Sequence, residues 1–379
     1  MPPLAPTPNF DERLKSLQKT IQTAPDNADA WRALGSFFCE NERFAEAVES
    51  YKQVIRITPS DIEPYLEVGL ALSKQGKHPE AIGAYEDAVR IDNTSARAHY
   101  LRGLGYYSLD HVPESVRAYK RALLLQPDFF EASYALGHAY MKQERFQDAV
   151  ESFAKALSIN PKLAEASFSI GVAFTKLKRD AEAIGAFRHA IRLDPTLAAA
   201  YNSLGLCYLR AGNFHDALEA FLTVNDLNPA FAEAYYNAGL AYAELGDHEK
   251  ALAAFLTATE KKTDFAQAYA NAGVMYGKLG NCEKEIDSYQ KALELNADNP
   301  KTMYNLAKAF QDRGTITQSI ELYKKIIAVT PTATEALYEL GVCYCSIGDY
   351  ASARTQYQFL LPLNRTLADS LATALGDNR

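Results

Sequence analysis

The amino-acid sequence repeats with a fixed period of 34 residues over most of its length. The segment from Ala164 to Pro195 recurs in related form from Ala198, and again from Phe130. Each copy holds two short amphipathic helical patterns separated by a turn. A constant period with two helices per copy is typical of stacked helical arrays, in which each copy buries its apolar face against its neighbours. The sequence therefore predicts an all-α solenoid, whose function must come from the surface it exposes.

Ten repeats follow one another without insertion or deletion, starting at residues 28, 62, 96, 130, 164, 198, 232, 266, 300 and 334. Counting from the first residue of each repeat, position 8 is Gly in every repeat but the ninth, which has Ala307. Position 20 is usually Ala, and position 24 is always Tyr or Phe. Small residues let two helices approach closely, and we expect the ring at position 24 to fill the gap to the next helix.

The turn positions carry their own pattern. Position 15 is Gly in six repeats, including Gly212, which suits a left-handed helix end. Pro at position 32, as in Pro195, ends the second helix. Position 33 is Ser, Thr, Asp or Asn in eight repeats, including Ser60 and Thr332, and we expect this residue to cap the next helix.

The sequence predicts a capping helix at each end of the array. Residues 10–27 contain a helical pattern with Leu14, Leu17 and Ile21 on one face and polar residues on the other, which predicts an N-terminal capping helix. The ten repeats are expected to occupy residues 28–365. Residues 366–379 are expected to form a C-terminal capping helix and a tail. This helix would continue the array as the first helix of an eleventh repeat. Residues 1–9 contain four prolines and are expected to be disordered.

The chain resembles the tetratricopeptide repeat family. The residues that carry the resemblance are the aromatic at position 4, exemplified by Trp31 and Tyr65, Gly at 8, Ala at 20, the aromatic at 24 and Pro at 32. The resemblance covers residues 28 to about 365. It implies a right-handed superhelical α-solenoid of helix-turn-helix repeats that binds other proteins in a concave groove.

Composition excludes several other classes of protein. A net charge of -8 argues against nucleic-acid binding, which depends on clustered Lys and Arg. No secretory signal and no membrane-spanning stretch is expected. Five cysteines suit reduced thiols, which favours a cytoplasmic protein. No catalytic motif, metal-ligand spacing or cofactor fingerprint appears, so we expect no enzyme activity, metal or cofactor.

Positions 5 and 9 lie on the side of the first helix that faces away from the predicted core. Family resemblance implies that this side lines the groove. These positions are apolar for an exposed face, and a continuous exposed apolar strip usually marks an interaction site. The alternative for position 5 is packing between neighbouring first helices. The predicted binding residues are Tyr100, Tyr134, Phe168, Tyr236 and Tyr304 at position 5, and Leu104, His138, Val172, Leu206 and Leu240 at position 9.

Two polar series complete the predicted groove. Asn237, Asn271 and Asn305 occupy position 6 of three successive repeats, where the resemblance implies hydrogen bonds to the backbone of an extended peptide. Position 13 is basic in three successive repeats, which predicts acidic groups on the partner. The alternative for these cations is that they complement the helix dipole. They are Lys142, Lys176 and Arg210.

The leading hypothesis is a non-catalytic scaffold or adaptor that binds a peptide or helical segment of a partner protein. The first alternative is a structural protein that self-assembles into homo-oligomers through its apolar surfaces. The second is a subunit that recruits substrates for a separate enzyme, as in O-linked N-acetylglucosamine transfer. No catalytic domain for such a reaction is recognisable in the sequence.

Overall fold

The computed structural model describes residues 10–376. The segment predicted to be disordered, residues 1–9, and the last residues of the predicted tail, 377–379, lie outside the described residues. The described part is 80% helical and has 22 helices and no strand, which confirms the all-α prediction.

The helices alternate between a first helix of 12 or 13 residues and a second helix of 14 residues across the central repeats. The bounds are α1 Phe10–Thr23, α2 Ala28–Glu40, α3 Phe44–Ile57, α4 Glu63–Lys74, α5 His78–Ile91, α6 Ala96–Ser108, α7 Val112–Leu125, α8 Phe130–Lys142, α9 Phe146–Ile159, α10 Ala164–Lys176, α11 Asp180–Leu193, α12 Ala198–Arg210, α13 Phe214–Leu227, α14 Ala232–Glu244, α15 His248–Lys261, α16 Ala266–Lys278, α17 Cys282–Leu295, α18 Pro300–Asp312, α19 Ile316–Val329, α20 Thr334–Ser346, α21 Tyr350–Leu360 and α22 Arg365–Gly376.

The helices form two compact bodies. The N-terminal body ends at Pro195 and contains α1 to α11, and the C-terminal body begins at Thr196 and contains α12 to α22. Within each body, helices that follow one another in the chain pack against one another. The division of the chain into a capping helix, ten repeats and a second capping helix stays a prediction.

A contact between glycine and an aromatic ring recurs in both bodies. In repeat 4, a Cβ on Gly137 would lie 2.5 Å from the ring of Phe153, which is fully buried. The ring at position 24 therefore packs on the glycine of its own repeat, a contact that we did not predict. As predicted, it also reaches the next helix, since Tyr85 clusters with Ala98 and Leu101 of α6. Close approach of the two helices depends on the missing side chain, because any Cβ would overlap the ring.

The turn after each first helix requires a left-handed residue, as predicted. Gly212 has φ +76°, and the other glycines at position 15 have φ between +75° and +80°. Four repeats place another residue there, and it takes the same conformation, as Glu144 does at φ +57°. The turn therefore imposes this conformation on the residue, and glycine is the residue that adopts it with the least strain.

The predicted N-cap at position 33 is wrong. Most first helices begin one residue later than that prediction requires, so the cap falls on position 34. The side chains of Asn27, Ser95 and Asn299 at position 34 accept hydrogen bonds from backbone amides of the first turn. Ser60 and Thr332 lie in the turn before the helix, since the residues flanking α4 and α20 are Ile62 and Ala333. The turn contains one residue more than the prediction allowed, which moves the cap from position 33 to position 34.

The end helices cover apolar surface. Leu14, Leu17 and Ile21 of α1 pack into the cluster that α2 and α3 form. At the other end, α22 places Leu371 where a Cβ on Gly341 would lie 2.5 Å from its Cδ2. In the other repeats with Gly at position 8, the aromatic ring of the same repeat lies there. Thus α22 docks on the glycine of the repeat before it, a contact that we did not expect from a helix beginning an eleventh repeat.

Candidate interaction surface

The predicted binding residues all lie on first helices. In the N-terminal body they lie on α6, α8 and α10, and in the C-terminal body on α12, α14, α16 and α18. The first group comprises Tyr100, Leu104, Tyr134, His138, Lys142, Phe168, Val172 and Lys176, and the second comprises Leu206, Arg210, Tyr236, Asn237, Leu240, Asn271, Tyr304 and Asn305.

A cavity of about 270 Å³ brings four of these residues together in the N-terminal body. It lies between the first helices α6 and α8. Tyr100 and Leu104 contribute from α6, and Tyr134 and His138 contribute from α8. Its remaining lining residues, which the sequence argument missed, are Tyr107, Tyr119, Phe130, Glu131, Ala135 and Leu163. The wall is mostly aromatic and aliphatic, as in the pockets that bind side chains or small ligands.

The aromatic residues at position 5 have two faces. One face packs on the ring at position 24 of the same repeat: the centroids of Phe168 and Phe187 are 5.7 Å apart, and those of Tyr236 and Phe255 are 5.6 Å apart. The predicted position 5 residues are nevertheless only partly buried. Part of each ring supports its repeat, and the exposed remainder is available to a partner.

Two of these rings also contact position 34 at the end of the same repeat. Tyr100 lies 4.9 Å from Phe129, and Tyr236 lies 4.9 Å from Phe265, measured between ring centroids. The sequence contained a signal for this contact, because position 34 is Phe or Leu in five successive repeats from Phe129 onwards.

His138 lies among aromatic rings at the edge of the cavity. Its ring meets Tyr134 edge-on at 4.6 Å and Phe153 at 5.0 Å. Burial lowers the pKa of His138, because the protonated imidazole loses hydration there. The imidazole is therefore neutral at neutral pH and adds to the apolar wall.

The aliphatic residues at position 9 are half-buried. Leu104, Val172, Leu206 and Leu240 all keep part of their surface exposed. Leu104 also contacts the core cluster of Leu136 and Tyr140, and Leu240 contacts that of Phe255. These side chains form an exposed apolar edge on the first helices, and Leu104 and Leu240 also pack against the core.

Two of the three predicted asparagines form hydrogen bonds with other side chains of this protein. Asn237, only 9% exposed, donates from Nδ2 to Oδ1 of Asn202 at 3.3 Å. Asn271 donates from Nδ2 to the Tyr236 hydroxyl at 3.1 Å. Both bonds link adjacent repeats, 35 residues apart. Asn305 is half-buried. The amides of Asn237 and Asn271 therefore stabilise contacts between repeats, and each keeps further hydrogen-bonding atoms.

The basic residues at position 13 are exposed at the ends of their helices. Lys142 forms an ion pair with Asp110 at 2.8 Å and lies 4.5 Å from the centre of the Tyr107 ring. The hydrogen bond to Asp110 raises the pKa of Lys142. Arg210 lies 3.2 Å from the Cys207 sulfur. An exposed ion pair of this kind contributes little to stability, so Lys142 is available to an acidic group at small cost.

Residues 10–376 form neither a membrane-spanning helix nor a cluster of metal ligands. Within that range no helix is long and apolar enough to cross a membrane. Nor does the same range contain a group of three or more His, Cys, Asp or Glu side chains arranged to hold a metal ion.

Sequence models of the tetratricopeptide repeat match most of the chain. One model matches residues 100–164, 134–198, 202–264 and 304–363, which together make more than half of the chain. Two related models match residues 35–76 and 69–110, and residues 266–299. No curated protein sequence matches the chain.

Solved structures of repeat proteins are similar to it. A MamA protein is 27% identical with a TM-score of 0.42, over 45% of this chain and 93% of its own. YrrB, described as a TPR protein with an unusual peptide-binding site, is 24% identical with a TM-score of 0.37, over 58% and 96%. The Cut9–Hcn1 hetero-tetramer of APC/C is 14% identical with a TM-score of 0.46, over 97% and 94%. On the matches of the sequence models, the chain belongs to the tetratricopeptide repeat family, whose members are protein-interaction scaffolds and typically non-catalytic.

Proposed function

We propose that this protein is a non-catalytic scaffold that binds a peptide or helical segment of a partner protein along its first helices. The observation that carries the proposal is the cavity between α6 and α8, which joins Tyr100, Leu104, Tyr134 and His138. A pocket of about 270 Å³ accepts one large apolar side chain of a partner. Apolar and aromatic anchors in such pockets supply most of the affinity of many protein interfaces.

The charges near the cavity define the remainder of the partner. Lys142 follows His138 by one helical turn on α8, and Lys176 ends α10. An acidic group on the partner would meet these cations, which act mainly by steering association and by selecting the orientation of the bound segment. Glu131, near the start of α8, also lines the cavity, whereas Lys142 ends that helix. We therefore propose a partner segment with an apolar anchor and an acidic residue on its Lys142 side.

The C-terminal body offers a second set of exposed apolar groups. Tyr236 and Leu240 lie one turn apart on α14. Asn271 donates a hydrogen bond to the Tyr236 hydroxyl, and Arg210 lies at the end of α12. Tyr304 and Asn305 extend the series onto α18. We propose that this body also binds protein segments, with Leu206, Tyr236 and Leu240 as apolar contacts and Arg210 as a contact for an acidic group.

The five cysteines support a location in the reducing cytoplasm. All five are free thiols, and Cys207 and Cys343 are buried as small packing residues. Secreted proteins usually pair their cysteines.

Peptide selection against the purified protein tests the proposal. A displayed library of random peptides is selected on the wild-type chain, and binders are then measured against Leu104→Lys and Leu124→Lys. Leu104 contributes to the cavity, whereas Leu124 is 71% exposed on the second helix α7. Both variants add the same charge in place of the same side chain. We expect Leu104→Lys to abolish binding of the selected peptides and Leu124→Lys to preserve it.

Loss of binding in both variants, or in neither, would contradict the assignment of the cavity. Light scattering over a range of concentrations distinguishes the alternative of self-assembly. Growth of the particle mass with concentration in wild type, reversed by Leu104→Lys, would mean that a second copy of this chain is the partner of the surface.

A further inference from the structure

The residue at position 4 carries a ring in six of the ten repeats. In three repeats of the N-terminal body, a polar ring atom donates a hydrogen bond to the backbone carbonyl six residues earlier. The bonds run from Trp31 Nε1 to Pro25 at 2.8 Å, from the Tyr65 hydroxyl to Pro59 at 3.2 Å, and from His99 Nε2 to Asn93 at 3.1 Å. Position 4 is thus a place where this fold accommodates an aromatic ring with a polar edge.

Repeat 4 has no ring at this position. Ser133 replaces it, and its side chain is fully buried, at 0% exposure. Its hydroxyl has no hydrogen-bond partner within residues 10–376. A cavity of about 220 Å³ lies beside it, walled by Leu123, Leu136 and Tyr140. A buried hydroxyl without a partner is costly, so this site lacks a group that its neighbours possess.

Repeat 5 shows what such a group can be. Its position 4 residue is again serine, Ser167, which is 1% exposed. The Ser167 hydroxyl shares a hydrogen bond of 2.7 Å with Nδ1 of His189, at position 26 on the second helix α11. The corresponding residue of repeat 4 is Lys155, which is exposed and lines the cavity. Repeat 4 therefore lacks both the ring at position 4 and the imidazole at position 26.

We propose that the cavity at Ser133 binds an imidazole ring, presented as a histidine side chain by a partner protein. The ring would place one nitrogen on the Ser133 hydroxyl, as His189 does on Ser167, and its carbons against Leu123, Leu136 and Tyr140. This site lies among α7, α8 and α9 and is separate from the cavity between α6 and α8. It is a second recognition site, independent of the peptide-binding function proposed above.

The charge around the cavity suits imidazole better than phenol. Asp148, Glu151 and Lys155 of α9 line it. Asp148 accepts a hydrogen bond from Arg145 at 2.8 Å, and Glu151 accepts one from Gln147 at 3.4 Å. The two carboxylates outnumber the single cation of the wall, which favours a ring that can carry a proton. An imidazole nitrogen can also donate or accept at the serine hydroxyl. A phenol would bring no charge to complement them.

Ligand-observed NMR with 4-methylimidazole as the probe tests the proposal on the full chain. We expect saturable binding to wild type. Lys155→His supplies the imidazole internally and should abolish that binding, and Ser133→Tyr, which restores a ring at position 4, should do the same. Ser133→Ala should weaken binding about fivefold by removing one hydrogen bond. His189→Ala should raise the stoichiometry, because it frees the Ser167 hydroxyl in the neighbouring repeat.

Circular dichroism checks that each variant keeps its helix content. Because Lys155→His and Ser133→Tyr are both expected to abolish binding, either variant tests the proposal if the other fails to fold. Absence of saturable binding to wild type would overturn the proposal. So would binding that persists in both Lys155→His and Ser133→Tyr, or stronger binding of p-cresol than of 4-methylimidazole. A crystal structure grown with 4-methylimidazole that shows only an ordered water on the Ser133 hydroxyl would overturn it as well.

Discussion

The ring of Phe187 occupies the space that a side chain on Gly171 would need. A Cβ on Gly171 would lie 2.5 Å from Cε1 of Phe187, and the ring is almost fully buried. The two residues belong to the two helices of one repeat, α10 and α11. This contact, repeated along the chain, sets how closely the helices of a repeat approach each other.

Replacing Gly171 by Ala should therefore destabilise the protein. The added methyl group has to displace the Phe187 ring, and such overpacking costs about 1–3 kcal/mol. Gly185 provides a matched control in the same repeat, because it lies inside α11 and its Cβ would meet nothing within 4 Å. Gly185→Ala should stabilise the helix by about 0.5–1 kcal/mol. Urea unfolding followed by circular dichroism measures both, and equal effects of the two changes would contradict the packing argument.

Truncation of Tyr236 should lower stability as well as binding. Its ring lies 4.9 Å from that of Phe265 and 5.6 Å from that of Phe255. Tyr236→Ala removes both contacts, and we expect a loss of about 2 kcal/mol, below the usual cost for a fully buried ring because Tyr236 is only half-buried.

Tyr236→Phe distinguishes the contribution of the ring from that of the hydroxyl. It removes only the hydrogen bond from Asn271, with an expected cost of about 0.5–1.5 kcal/mol. Thermal unfolding gives the stability of both variants, and titration with a peptide selected on the C-terminal body gives the affinity. If the ring is an apolar anchor, Phe should keep most of the affinity that Ala loses. Equal affinities for all three proteins would limit Tyr236 to a structural role.

Stability should decrease below neutral pH. Burial lowers the pKa of His138, and also that of His99, below the value of about 6.5 expected in the unfolded chain. The unfolded state then binds more protons at mildly acidic pH, so these residues cost no stability above about pH 6.5 and an increasing amount below it. The urea midpoint should be lower at about pH 5.5 than at about pH 7.5. His138→Phe should reduce this difference, and an undiminished pH dependence in that variant would rule out His138 as its source.

Unfolding should be observable separately at the two ends of the chain. Trp31 is the only tryptophan, and its indole donates a hydrogen bond to the Pro25 carbonyl at 2.8 Å, so its fluorescence reports the first repeat. A second reporter comes from combining Trp31→Tyr with Tyr269→Trp, which moves the tryptophan to position 4 of a repeat in the C-terminal body. In repeat arrays stability is a sum of local terms, so the two fluorescence midpoints in urea should differ. Midpoints that coincide with each other and with circular dichroism would indicate a single cooperative transition.

The sequence by itself determined the local features of the fold. The 34-residue period placed both helices of each repeat, because helix spacing and turn signals are encoded within a few residues of one another. The left-handed residue at position 15 was readable for the same reason. Glu144 and Lys178 adopt this conformation without being glycine, since the turn requires it wherever two helices are joined in this way.

Only the tertiary structure decided which distant side chains meet. Asn237 and Asn202 are 35 residues apart, and whether they form a hydrogen bond depends on the angle between neighbouring first helices, which no local pattern encodes. The same holds for the partner of the ring at position 24 and for the docking of Leu371 on Gly341. The sequence also placed Tyr100 and His138 in the predicted groove, but their meeting in one cavity depends on the packing of α6 against α8. The sequence shows only that Ser133 stands at position 4; the burial of its hydroxyl without a partner depends on the packing of α8 against its neighbours. The comparison with repeat 5, where His189 bonds to Ser167 and Lys155 stands in its place in repeat 4, likewise required the structure.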